Sequence, residues 1–138
     1  MRVFFLALVV VLANFAVFAE SAQAQTTGPL STVQRAELYK KFTGCAGYIA
    51  AMASERPTWA PSPRSLNMRF DALSLAAKAV HDPKNTVSAE DMIAILATNF
   101  VRNSKSADPL AQKEWKETWF DCFKMHEEAQ HLVSPKTP

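Results

Sequence analysis

Apolar residues recur at steps of three and four through four stretches of this chain, and each stretch is bounded by proline or a capping residue. That spacing lines one side of an α-helix and leaves little room for strands, which need alternation. In the first stretch the stripe is Leu38, Phe42, Cys45, Ile49 and Met52. Ser31 with Gln34 forms a capping box at its start, and Pro57 ends it by Arg56. A linker, Pro57-Thr58-Trp59-Ala60-Pro61-Ser62-Pro63, follows. The second helix is expected after Ser65, with Leu66, Phe70, Leu73, Ala77 and Val80 on one face, stopping at His81-Asp82-Pro83. Ser88 and Asp91 cap a third, whose buried side is expected to be Met92, Leu96 and Phe100, widened by Ile93. Asn103 to Ala107 reads as a polar turn. Asp108 as cap and Pro109 in the first turn open the fourth helix, which ends at Ser134-Pro135. Its stripe is Trp115, Trp119, Cys122, His126 and Ala129, flanked by Phe120 and Phe123.

The amino terminus bears on compartment. Arg2 precedes an apolar run from Val3 to Ala19, interrupted only by Asn14, and Ala22-Gln23-Ala24 offers the small residues of a cleavage site. Residues 1–24 therefore read as a secretory signal, leaving residues 25–138 as a single helical domain. The run is too short for a typical spanning helix, so no stable membrane insertion is expected after cleavage. The address is periplasm or secreted. With Arg2 and Glu20 removed, 14 basic residues face 12 acidic ones, all scattered, which argues against nucleic acid as a partner. No Asn is followed by x-Ser/Thr, which leans towards a bacterial periplasm.

Both cysteines, Cys45 and Cys122, belong to the mature part, and an even count in an exported chain reads as a disulfide. Helical register supports this pairing. Cys45 lies about 13 residues, or roughly 20 Å, from the start of the first helix; Cys122 lies about 11 residues, roughly 17 Å, before the end of the fourth. In an antiparallel four-helix bundle those two ends lie together, so the thiols meet.

Candidate chemistry is sparse. Cys122 and His126 are four apart, the spacing of a thiol with its base or of two metal ligands, but a disulfide consumes the thiol. His126 and His131 are five apart and do not converge on one metal. Met52, Met92, Met125 and His126 are conceivable haem ligands, yet no Cys-x-x-Cys-His is present, and methionine at helical spacing reads as core. The cluster of Trp115, Trp119, Phe120 and Phe123 reads as core rather than a ligand cage. Trp59 stands outside every stripe, as a lid or an exposed contact. Neither Gly-x-Ser-x-Gly nor His-Glu-x-x-His nor a phosphate loop occurs, so catalytic, cofactor and metal residues are all expected to be absent.

The segment Trp119-Phe120-Asp121-Cys122-Phe123-Lys124-Met125-His126-Glu127-Glu128 resembles the late cysteine segment of the Tai4-type immunity proteins. These are helical periplasmic proteins that neutralise peptidoglycan amidases delivered by type VI secretion. Cys45 and the signal fit the same plan, although His126-Glu127-Glu128 stands where that family usually has a His-Ser pair. Cys45-Ala46-Gly47-Tyr48-Ile49 also resembles the first-helix motif of the Rap1a group. The resemblance implies an inhibitor whose protein partner is a secreted hydrolase, with Asn103, Ser104, Lys105 and Ser106 in the inhibitory loop. Trp59 is the second expected contact on its own chemistry, because proline stiffens its linker and tryptophan is a frequent anchor. A homodimer stays compatible with this reading. Two other classes remain open: a stress-responsive helical protein or chaperone, and a haem or small-ligand carrier.

Overall fold

The computed structural model describes residues 29–134; the predicted signal and the predicted cut after Ala24 lie outside them. Among the described residues there are four helices and no strand: α1 (Thr32–Glu55), α2 (Pro63–Val80), α3 (Ala89–Ser104) and α4 (Pro109–Val133). None of these helices is long and apolar enough to cross a membrane.

The boundaries follow local chemistry. Ser31 and Gln34 form the full reciprocal box at the start of α1. Arg56 closes that helix in the left-handed region, φ 45°, with its N–H donating to the Met52 carbonyl. A left-handed residue at this position satisfies an orphan carbonyl, so Pro57 follows a finished end. The start of α2 differs from the sequence expectation. It begins at Pro63 rather than after Ser65, because Ser62 accepts from the Ser65 N–H and proline suits the first helical position. The third helix also runs on: Asn103 and Ser104 are its last residues, and the turn is confined to Lys105–Asp108. Asp108 caps α4 as expected, accepting from the Leu110 N–H.

The helices run up, down, up, down. Arg35 near the start of α1 donates to the Ala79 carbonyl at the end of α2, making that pair antiparallel. Glu55 at the end of α1 pairs with Lys105 at the end of α3, so α1 and α3 are parallel. Cys45 bonds Cys122, and Tyr48 donates from its phenol to the Trp115 carbonyl, so α4 runs against α1. The arrangement is not a square. The first helix packs broadly on both α2 and α3, while α4 lies mainly against α2 and touches α1 and α3 less.

Because α1 is central, its middle is buried on nearly every side. Phe42, Thr43, Cys45, Ala46, Gly47, Tyr48, Ile49, Ala51 and Met52 are all inside, well beyond the expected stripe. A helix apolar all round belongs in a core. Thr43 is admitted because its hydroxyl donates to the Tyr39 carbonyl at 2.7 Å. Tyr48 is wholly buried against Phe100 and Trp115, at centroid distances of 5.4 and 4.8 Å, and burial pushes its phenol far above the ordinary range.

Two expectations about packing are corrected. On α3 the buried residues are Ala89 and Ile93, the latter expected only as a widening of the stripe, with Met92, Leu96 and Phe100 half-buried, because α3 is covered broadly by α1 and only lightly by α2 and α4. On α4, Phe120 is 68% and Phe123 41% exposed; only Trp115 is buried in the aromatic cluster, with Trp119 half-buried. The fourth helix meets one neighbour broadly, so its apolar side is wider than the surface available to cover it.

Gly47 sets the distance between α1 and α3. A Cβ there would sit 2.8 Å from Leu96 Cβ, 3.0 Å from Ala97 N and 3.1 Å from Ile93 O. These are main-chain or near-main-chain atoms, so a whole helix would have to move. Gly44, one turn earlier, has nothing within 4 Å of such a Cβ. Gly47→Ala is therefore expected to destabilise the fold by about 1–3 kcal/mol, partly offset by alanine's better helix propensity. Gly44→Ala is expected to stabilise by up to about 1 kcal/mol through propensity alone. Urea titration of both variants checks the opposite signs.

Candidate functional site

The two loops singled out in the sequence lie at one end of the molecule. In an up-down-up-down chain the α1–α2 and α3–α4 connections share an end, and Glu55 Oε1 to Lys105 Nζ at 3.4 Å ties them together. An ion pair this exposed contributes little to stability, about 1 kcal/mol at most. Its value here is to register one loop against the other.

The second loop is held by side chains rather than left loose. Gln112, in the first turn of α4, donates from Nε2 to the carbonyls of Ser104 at 2.6 Å and Ser106 at 2.9 Å. The Ser106 hydroxyl accepts from the Asp108 N–H at 3.2 Å, and the Ser106 N–H donates to the Asn103 carbonyl at 3.0 Å. The Ser104 hydroxyl donates back to the Val101 carbonyl at 2.8 Å. Asn103 and Lys105 remain exposed, whereas Ser104 and Ser106 are half-buried. Of the four residues expected in a contact loop, two project and two brace.

Trp59 occupies the turn between α1 and α2 and is 38% exposed, so its indole is not folded away under the neighbouring side chains. The turn itself is fixed by the Ala60 N–H donating to the Pro57 carbonyl at 2.9 Å. Beside it lies a cleft of about 310 Å³ with Ala53 and Leu66 among its apolar lining, Pro57, Pro61 and Pro63 around it, and Arg56 also present. This end can offer an indole, two cations (Arg56 and Lys105) and a small apolar cleft. The hydroxyls of Ser104 and Ser106 are engaged with the main chain.

All three histidines lie elsewhere. His81 ends α2 at the opposite pole, with Nε2 3.0 Å from the Val87 carbonyl, and His131 is exposed near the end of α4. His126 is buried one turn beyond Cys122. Cys45 and Cys122 form a disulfide with Cα atoms 5.2 Å apart, well inside the range for an unforced bond. No thiol is left to act with His126. Among the described residues, no three His, Cys, Asp or Glu side chains are grouped to hold a metal.

Sequence reasoning passed over Glu55 and Gln112, and also Arg69. This arginine lies half-buried on α2, its guanidinium carbon 4.3 Å from the Phe123 ring centre and 5.3 Å from that of Trp119. A cation beside Leu66, Phe70 and Leu73 was the signal available for it. No family model, curated protein or solved structure matches the chain.

His126 has a pH consequence. Burial, followed by the nearby Arg69 charge, lowers its pKa from the usual histidine range, and Glu127 on the same helix opposes this only in part. Its Nδ1 is buried with no hydrogen-bond partner among the described residues. The folded protein therefore binds the His126 proton more weakly than the unfolded chain. The resulting stability is complete above the unfolded value of about 6.5 and is lost as pH falls through the folded value. Denaturation from pH 8 to 5 should show this loss, and His126→Gln should flatten the profile in that interval.

Proposed function

We propose that the mature domain is an exported binding protein that acts sterically, as an immunity protein does. It occludes the cleft of a secreted peptidoglycan amidase. The observation that carries this reading is the shared end, where the Trp59 turn and the Lys105–Asp108 turn are registered by Glu55–Lys105 and braced by Gln112. A surface already held in its bound shape loses less entropy on association than two free loops would. Tryptophan and cationic side chains on a rigid frame are the usual anchors of such contacts. The likeness of the Cys122 segment to immunity proteins, the paired cysteines and the signal-like amino terminus all point to the same compartment and role.

The mechanism needs no reacting group. Trp59 enters the partner's cleft, Lys105 and Arg56 meet acidic groups at its rim, and the bundle blocks substrate. Mature protein should capture a secreted amidase from a panel of such enzymes and inhibit it at stoichiometric ratio. Trp59→Ala and Lys105→Ala should each weaken that binding by about 1 kcal/mol or more with nearly unchanged melting temperature. Failure to capture any amidase, or full-strength binding by both variants, removes the proposal.

A further inference from the structure

The two halves of α4 are held in different ways. Before Cys122, the Trp115 carbonyl accepts from Tyr48, Gln112 binds the carbonyls of Ser104 and Ser106, and the disulfide fixes Cys122 itself to α1. From Phe123 to Val133, about three turns, no hydrogen bond or ion pair reaches another helix among the described residues. Those turns stay down by packing. Ala129 is wholly buried, and Met125 and Val133 lie half-buried against the core. The ionisable side chain on that packed side is His126, which is only 6% exposed.

Neutral imidazole suits this place and imidazolium does not. The neutral ring can keep its proton on Nε2, so that the buried Nδ1 presents a lone pair. A second proton makes Nδ1 a buried donor, and it has no acceptor there among the described residues. The new charge also falls near another cation. Arg69, half-buried on α2, acts against protonation of the ring, and Glu127, exposed on α4, offsets this only in part. Arg69 is itself short of partners, with Nε and Nη1 buried and unbonded among the described residues. The first helix meets α4 through Cys45 and Tyr48, which are uncharged. Among the described residues, neither α1 nor α3 supplies a charged group that acts on the ring.

We infer that His126 is an acid-sensitive latch: neutral, it lets the last three turns of α4 lie on the bundle, and its protonation releases them as far as the disulfide. The Cys45–Cys122 bond sets the boundary of the movement. It holds the middle of α4 on α1 whatever the charge on His126, so the helix opens from Val133 back to Cys122 and no further. Opening gives water to the imidazolium and uncovers Met125, Ala129 and the surface beneath them, which is mainly that of α2. Acid thus acts on one end of one helix before it acts on the whole fold. The inference goes beyond the binding role proposed above and does not rest on it, because the loop end lies at the start of α4 and the latch near its finish.

Hydrogen exchange of the disulfide-bonded protein tests this from about pH 7.5 to about pH 5, read as protection factors so that the pH dependence of intrinsic exchange cancels. Protection of residues 123–130 should fall about tenfold or more relative to Phe42–Met52, starting below about pH 6.5. Each pKa unit between closed and open forms changes the opening constant about tenfold. Residues 110–121 should keep their protection with the core. His126→Gln, whose side chain takes up no proton, should remove the fall. If that variant does not fold, the parent decides: the His126 imidazole followed by NMR should titrate with a midpoint below about 6.5, and the fall should level off at that midpoint. The inference is overturned by constant protection across the range, by an equal fall in His126→Gln, or by an imidazole midpoint at or above about 6.5. A fall shared by residues 110–121 or by Phe42–Met52 overturns it in favour of general unfolding.

Discussion

The close approach of α1 and α3 at Gly47 is the constraint on which the other helix positions depend. Parallel helices cannot come this near with a side chain between them, and the hypothetical Cβ 2.8 Å from Leu96 Cβ shows how little space remains. With α3 drawn in on one side and α2 on another, α1 becomes the axis of the domain. Its segment from Phe42 to Met52 then loses contact with water on nearly all sides. Burying side chains such as Phe42, Ile49 and Met52 contributes on the order of 1.5–3 kcal/mol each, against the entropy of ordering the chain.

The fourth helix is attached by different means. It has one broad neighbour, α2, and is pinned to α1 by the disulfide and by the Tyr48 phenol. The bond closes a separation of 77 residues, for which the chain-entropy model gives about 4 kcal/mol. A covalent pin lets α4 be less well covered than its sequence suggests. Phe120 and Phe123 stay open, and Arg69 takes the place of a core side chain between α2 and α4. The same economy of contacts leaves His126 buried but unpaired. The pinning of α4 and the exposure of its aromatic side chains thus have one origin.

What could be read from the residues was the local chemistry. Ser31, Ser88 and Asp108 announced their helices because a cap and its backbone donor lie within three residues of each other. Cys45 and Cys122 could be paired at a distance because helical rise converts residue number into height. Ser62 was missed as a cap because Ser65 offered the same chemistry three residues on. The half-exposure of Met92, Leu96 and Phe100 and the exposure of Phe120 were not legible for a deeper reason. A stripe tells which side of a helix is apolar, but not how many neighbours will cover it or at what angle. The loop end was half legible: Trp59 and Lys105 were found as exposed polar or unpatterned residues. Glu55, Gln112 and Arg69 act across elements, and nothing in their own segments marks that.

The order in which the domain opens separates this account from one in which four helices share the core equally. Residue-resolved hydrogen exchange on the disulfide-bonded protein reads that order directly. If α1 is the axis, the amides of Phe42 to Met52 exchange last and only through global unfolding, while those of α4 beyond the disulfide exchange earlier through local opening. Exchange of the Phe42–Met52 amides before those of α2 and α4 would contradict it.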